Sequence, residues 1–353
     1  NIYLTGYTWN QLNNQIVSGT TTSDAFISKY DRSGSHSWTK LIGSDSSEES
    51  FDITLSPNGD LLITGYTYGS LDGNVAGQGK DVFVSKFTSD GDKLWTTTTD
   101  SQNEDVGRGI QTSKDGSILV TGHTNGNLDE EKHIGGYDIF FSKFDSDGEF
   151  EWTKLIGTNE SEYVSFFEES FDGNFYIIGT TNGNLNGQIN SSGGDIFIIK
   201  ISPEGTTEWT RLFERPNNLY LKSVLVSQDG SIYFTGDTEN NLGGEVVKGE
   251  RDAFITKFNP DGYQLWTKLL GSLRTDQGYD IAETSDGSIF LVGSTTGNLK
   301  RNINSGGGDL FISKLSQTNL NKINENTKSD SIISLLSTLD DDKNDTHTYE
   351  LIN

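Results

Sequence analysis

The chain has no cysteine, no methionine and only 4 prolines in 353 residues, and it sets 26 lysines and arginines against 51 aspartates and glutamates. Without cysteine there is no disulfide, no thiolate zinc site and no cysteine nucleophile, so stability has to come from packing or bound ions. A formal charge of −25 repels nucleic acid and anionic lipid and favours solubility or divalent cations, so nucleic acid is not expected as a partner. No run of about 18 apolar residues occurs, so membrane insertion is not expected either, and the first residues read as a strand rather than a signal peptide. The missing methionine leads us to expect further domains covalently continued on the chain, with any export signal upstream. Avoidance of cysteine suits a bacterial protein that is secreted or held at the cell surface. The hydrophobic fraction is low at 32%, a level that with high charge usually accompanies disorder. Against this stand 11% aromatics and 41 glycines, often in Asp-Gly or Asn-Gly pairs, which suit many short strands joined by tight turns.

What is present repeats. Trp38, Trp95, Trp152, Trp209 and Trp266 stand 57 residues apart, and Asp24, Asp81, Asp138, Asp195, Asp252 and Asp309 follow the same period with a two-residue-later phenylalanine, Phe26 to Phe311. Six lysines, Lys29 to Lys314, and five glycines, Gly65 to Gly293, keep step, while Gly6 lies 59 residues before Gly65 and marks a two-residue insertion in the first long loop. One period reads as four β segments: 279–285, 288–295, 309–315 and, from the preceding copy, 264–271. Asp286-Gly287 and Asp261-Gly262 are hairpin signals, the glycine supplying positive φ. Four antiparallel strands per unit in about six units, each with a large aromatic, indicate an all-β protein, a β-propeller of four-stranded blades. Six copies of the second and third strands but five of the first and fourth lead us to expect both ends cut mid-blade, in a parent ring of six or seven blades. Blades are expected at about 1–43, 44–100, 101–157, 158–214, 215–271 and 272–316.

The segments GGYDIFFSKFDSDGEFEW (135–152), GGDIFIIKISPEGTTEW (193–209) and DGSIYFTGDT (229–238) resemble bacterial β-propeller repeats of the SBBP type, over residues 1 to about 316. After a polar linker at 317–334, LLSTLDDDKNDTHTYELIN (335–353) resembles the opening of bacterial cadherin-like repeats; an acidic solvated tail is the alternative. That resemblance implies calcium-ligand oxygens from Asp340, Asp342 and Asp345, and calcium is the one cofactor so suggested.

Alternating strand direction places two connections at each end of a blade. One end carries only tight turns, the other a 15-residue loop such as 66–80 or 123–137 and the acidic connection between blades, with Glu48, Asp105, Glu162 and Asp276 at one register and Leu219 interrupting the set. Long loops on a rigid scaffold are where binding usually sits. Trp9 and Tyr68, each three residues after the repeated glycine, are candidate sugar platforms. ERPNNLYLKS (214–223) departs most from the repeat, and its Arg215, Tyr220 and Lys222 form a cationic spot that a carboxylate-bearing polysaccharide would suit. The repeated tryptophans, aspartates and lysines read instead as structural, because every blade has them. A DxDG fragment at Asp145 reads as a turn, since other copies lose its carboxylates. His36, His123, His133 and His347 occupy unrelated registers, with no HExxH pair, and there is no GxSxG elbow or phosphate loop. No catalytic residue is assigned. The expected function is a non-enzymatic extracellular module for cell adhesion or ligand binding, its partner a cell-surface glycan or protein. The alternatives are a polysaccharide lyase or glycosidase using carboxylates at the long-loop end or channel, and a structural spacer.

Overall fold

A computed structural model describes residues 1–19, 22–74, 77–99, 101–191, 193–299 and 302–315, so the linker, the tail and Asp340, Asp342 and Asp345 lie outside the described residues. Among the described residues the chain forms 22 strands and one short 3-10 turn. The first sheet holds β1 (Ile2–Thr8), β2 (Asp24–Tyr30) and β3 (His36–Ile42), and the second β4 (Glu48–Leu55), β5 (Leu61–Thr67), β6 (Asp81–Phe87) and β7 (Lys93–Thr99). The third holds β8 (Asp105–Thr112), β9 (Ile118–Thr124), β10 (Asp138–Phe144) and β11 (Phe150–Ile156), and the fourth β12 (Glu162–Glu169), β13 (Phe175–Thr181), β14 (Asp195–Ile201) and β15 (Thr207–Glu214). The fifth holds β16 (Leu219–Val226), β17 (Ile232–Thr238), β18 (Asp252–Phe258) and β19 (Gln264–Leu270), and the sixth β20 (Asp276–Glu283), β21 (Ile289–Thr295) and β22 (Asp309–Leu315). Each is an antiparallel meander in chain order. The first four sheets form one compact unit, residues 1–214, and a second unit begins at Arg215.

Middle strands such as LLITGYT and DVFVSKF are buried on both faces, which explains their unbroken runs of β-branched and aromatic residues. Their two faces meet the neighbouring sheets. In the first unit Ala25, Ile27 and Ile42 pack on Leu61, Ile63 and Phe83 of the next sheet; Leu62, Val82 and Val84 pack on Ile110, Val120 and Phe140; and Ile139 and Phe141 pack on Phe167, Phe175 and Ile177. In the second unit Tyr233 and Ile255 pack on Ile281 and Ile289. The half-buried tryptophans lie at these joints: a Cβ added to Gly91, Gly148 or Gly205 in the following sheet's hairpin would come within 3.1 Å of Trp38, Trp95 or Trp152. Trp209 lies tilted against Tyr176, ring centres 5.8 Å apart, and Trp266 edge-on to Tyr233 at 6.1 Å.

The repeated polar groups are engaged within the scaffold. Each periodic aspartate accepts a main-chain N–H from the loop before it: Ser18 to Asp24 and Gly77 to Asp81 at 2.8 Å, Ile134 to Asp138 at 2.6 Å, Ser191 to Asp195 at 2.9 Å, Lys248 to Asp252 at 3.0 Å and Ser305 to Asp309 at 2.8 Å. The periodic lysines pair with acids, for example Lys143 with Glu151 at 3.2 Å and Lys257 with Asp229 at 3.4 Å.

The first strand of each blade starts about three residues earlier than its sequence suggests, at Asp276 in place of 279. Glu48, Asp105, Glu162 and Asp276 therefore open a strand and do not lie in a free connection. The cause is an interaction between blades: the N–H of Glu48 donates to the carbonyl of Ser23 at 2.8 Å, and Asp276 to Arg251 likewise. Their carboxylates turn back to accept Ser44 N–H at 2.8 Å and Ser272 N–H at 2.6 Å. Two residues later a bulge interrupts the register, between Ser50 and Asp52 and at each equivalent site. The second strand runs two residues into the expected loops, to Thr67 and Thr124, so those long loops span 68–80 and 125–137.

Candidate functional site

At the long-loop end of the blades, four kinds of position escape the repeat. The sixth residue of the second strand is Tyr66, His123, Thr180, Asp237 and Ser294 in successive copies; opposite it across the sheet stand Glu49, Val106, Tyr163, Tyr220 and Gln277. The bulge carries Phe51, Arg108, Ser165, Lys222 and Tyr279, and the residue before the third strand is Lys80, Tyr137, Gly194, Arg251 and Gly308 in the same copies. Because strands fix register, variation here places different side chains at equivalent points on one scaffold.

In the first unit these positions form an aromatic and ionic cluster. Tyr66 lies 5.9 Å from Phe51 and 5.5 Å from Tyr68, ring centre to ring centre. Lys80 sits 4.6 Å above Tyr66 and 5.8 Å from Tyr68, and the Arg108 guanidinium 4.2 Å above Phe51. His123 meets Tyr137 at 5.5 Å and Tyr163 at 5.3 Å, and the two tyrosines lie 5.2 Å apart. Tyr137 donates its hydroxyl to Glu104 at 2.6 Å. Burial, with the Arg108 and Lys80 charges adding to it, pushes His123 down to about 3, so it is neutral across the physiological range. Burial together with carboxylate neighbours, Glu49 and Glu104 respectively, raises Tyr66 and Tyr137 above the usual phenol range, so both stay protonated donors. Tyr68 and Tyr163 remain open to solvent at 43% and 38% exposure.

In the second unit the same positions hold a closed ionic network. The fully buried Asp237 pairs with Lys222 and with Arg251, both at 3.0 Å, and Arg251 also reaches Glu239. Lys222 lies 4.7 Å above Tyr279, and Arg251 4.8 Å above Tyr220.

Of the residues singled out in the sequence, Tyr68 lies in the first cluster and Tyr220 and Lys222 in the second. Arg215 sits apart from both networks, its Nε donating to the Leu219 carbonyl at 3.3 Å. Trp9 follows β1 and is 55% exposed, in the position Tyr68 holds one sheet later. Sequence reasoning missed Tyr66, Lys80, Arg108, His123, Tyr137, Asp237 and Arg251. The signal was available: aligning the copies by register shows columns that change chemistry where their neighbours do not. Among the described residues no group of three or more acidic or histidine side chains is gathered to hold a metal ion. At the tight-turn end of the second and third sheets a 310 Å³ cleft is lined by Asn58, Lys86, Lys114, Asp115 and Asp147 among others, but Lys86 already binds the Ser146 carbonyl at 3.0 Å.

The sheets, their strand order and their face-to-face packing define the class: a β-propeller repeat protein. No family model matches the chain. It is 23% identical over 356 residues to the regulatory protein FlaEY of Caulobacter vibrioides, covering 86% of this chain and 36% of that protein. It is also 23% identical over 359 residues to an uncharacterised WD repeat-containing protein, L264, of Acanthamoeba polyphaga mimivirus, covering 77% and 26%. The chain thus spans 36% and 26% of these curated relatives' length. Solved structures similar to it include the WD40 domain of Neurospora crassa Pan2, at 13% identity and a TM-score of 0.44 over 76% of this chain and 71% of that one. A gluconolactonase of Xanthomonas campestris is 10% identical, with a TM-score of 0.40 over 77% and 79%.

Proposed function

We propose that the chain is a non-enzymatic module, built of SBBP-type blades, of a larger bacterial surface or secreted protein, and that it serves adhesion by holding a cell-surface carbohydrate at its long-loop end. The observation that carries this reading is the cluster around Tyr66 and His123. Aromatic faces stand there beside charges of both signs, at positions the repeat leaves free, while the repeated aspartates and lysines are engaged internally. Sugars offer C–H faces that stack on tyrosine and hydroxyls that bond to fixed charges. Tyr68 and Tyr163 are the exposed platforms, and Trp9 offers another one sheet earlier.

A glycan array probed with residues 1–353 tests this. Retention of a defined glycan class, weakened about tenfold by Tyr68→Ala or Tyr163→Ala, is the expected result, a factor of ten being about 1.4 kcal/mol. An array on which nothing is retained would overturn it and favour a structural spacer, and variants that bind as well as the parent would overturn the tyrosine platform.

The clustered histidine, tyrosines, arginine and carboxylates also favour a second reading, a glycosidase or polysaccharide lyase using Glu49 and Glu104. Against it, His123 is 6% exposed and, at about 3, a weak base. Release of shortened or unsaturated sugars from a retained glycan would decide for the enzyme.

A further inference from the structure

Lys80 and Arg108 are cations in a chain of net charge −25, yet among the described residues neither has a carboxylate oxygen within 4.0 Å. The Arg108 Nε is buried without an acceptor. Phe51 covers the guanidinium face and Tyr66 the Lys80 ammonium, which leaves edge donors of the one and the outward N–H groups of the other unspent. Glu49, whose charge reaches Arg108 without forming an ion pair, takes the Tyr66 hydroxyl, and Glu104 takes that of Tyr137 at 2.6 Å.

The second unit shows what the same scaffold does when the charge is supplied from within. There Lys222, Asp237 and Arg251 lie in one sheet, Asp237 binding both cations at 3.0 Å; in the first unit the same two cation registers are filled in neighbouring sheets, by Arg108 in the third and Lys80 in the second. In the first unit the register of Asp237 is filled by Tyr66 and His123, both neutral, so the equivalent cations are left without that anion. Buried or half-buried cations are retained when something pairs with them.

We infer that the ligand carries an oxyanion, a uronate carboxylate or a sulfate ester, that is bound by Lys80 and Arg108 where they flank Tyr66. The planar guanidinium fork matches either group through paired N–H donors, and Lys80 adds a point charge. The tyrosines then contact the sugar ring next to the charged group. This rests on the carbohydrate reading above, and it adds that a neutral sugar of the same linkage is discriminated against.

The test is calorimetric titration of residues 1–353 with an oligouronate, its carboxyl-reduced neutral counterpart and a sulfated oligosaccharide, together with thermal unfolding in inorganic sulfate. Arg108→Gln and Lys80→Gln are the variants, with circular dichroism to show that each is folded. Expected is binding of one acidic glycan at least tenfold tighter than of the neutral one, reduced at least tenfold in each variant; whether the uronate or the sulfate ester binds identifies the source of the charge. A sulfate-dependent rise in melting temperature that both variants lose would also support the anion site, and if no glycan bound, the carbohydrate reading alone would fall. Equal binding of acidic and neutral glycans, unaffected by Arg108→Gln, would overturn the anion site and leave the carbohydrate reading standing. Absence of any response to glycan or sulfate would overturn both.

Discussion

Gly148, in the β10–β11 hairpin, lies so close to the Trp95 indole of the preceding sheet that a Cβ on it would stand 2.9 Å from the ring. Its φ of +87° is itself unfavourable for any side chain. The repeated tryptophan and the repeated turn glycine are thus two halves of one joint. Gly148→Ala is expected to cost about 1–3 kcal/mol through strain and overpacking, and Trp95→Ala about 3 kcal/mol through the cavity it leaves. Urea unfolding of both variants and of the double mutant checks this; if the residues form one joint, the two losses will not add.

Asp237 anchors the second unit's ionic network with no exposed surface of its own. Asp237→Ala leaves Lys222 half-buried without its counter-ion and Arg251 with Glu239 alone. We expect a loss of about 3–5 kcal/mol, far more than an exposed ion pair is worth. Replacing Lys222 or Arg251 together with Asp237 should recover part of it, measurable by the same unfolding experiment.

His123, neutral in the fold down to about pH 3, sets a pH dependence of known sign. Unfolded histidine takes up a proton below about 6.5, and folded His123 does so only near 3. Its contribution to stability is therefore complete above about pH 6.5 and is lost progressively as pH falls toward 3. His123→Gln should flatten the decline in melting temperature between pH 6.5 and 4. A parallel decline in parent and variant would mean that the imidazole is not held neutral.

Asp52 acts in the opposite sense. Burial raises it to about 6, against the N–H groups of Ile110 and Ile53, each donating at 2.8 Å. The folded carboxyl keeps its proton over a range in which the unfolded one has lost it, so this group weakens the fold as pH rises from about 4 to 6. Asp52→Asn, neutral at every pH, is expected to lose a few tenths to about 1 kcal/mol at pH 4, where one acceptor is missing, and to narrow or reverse that difference at pH 7. Melting temperatures at the two pH values measure it.

The blades could be read from the sequence because each position in Trp38 to Trp266 and Asp24 to Asp309 is stated five or six times, and a 57-residue period averages out local ambiguity. The start of the first strand could not, because Glu48 is brought into register by the Ser23 carbonyl, a partner in another blade. The candidate site divides in the same way. Tyr68, Tyr220 and Lys222 stand out as departures in loops or in an aberrant copy. Arg108 looks like an ordinary strand residue, and Lys80 and His123 like the ends of long loops, until cross-strand pairing and the bulge turn them to one end of the first unit. Four histidines in unrelated registers give no sign that one is buried between two tyrosines.

The central claim is that the first unit binds its ligand at the loop-bearing ends of β4, β5, β8 and β9. Hydrogen exchange of residues 1–353 by mass spectrometry, with and without the glycan retained on the array, tests it most directly. The account predicts added protection in peptides spanning 49–51, 66–69, 104–108 and 123–137, with none at the Asp-Gly turns of the opposite end. Protection confined to the turn residues 56–59 and 114–117, or to the Arg215–Lys222 segment, would contradict it.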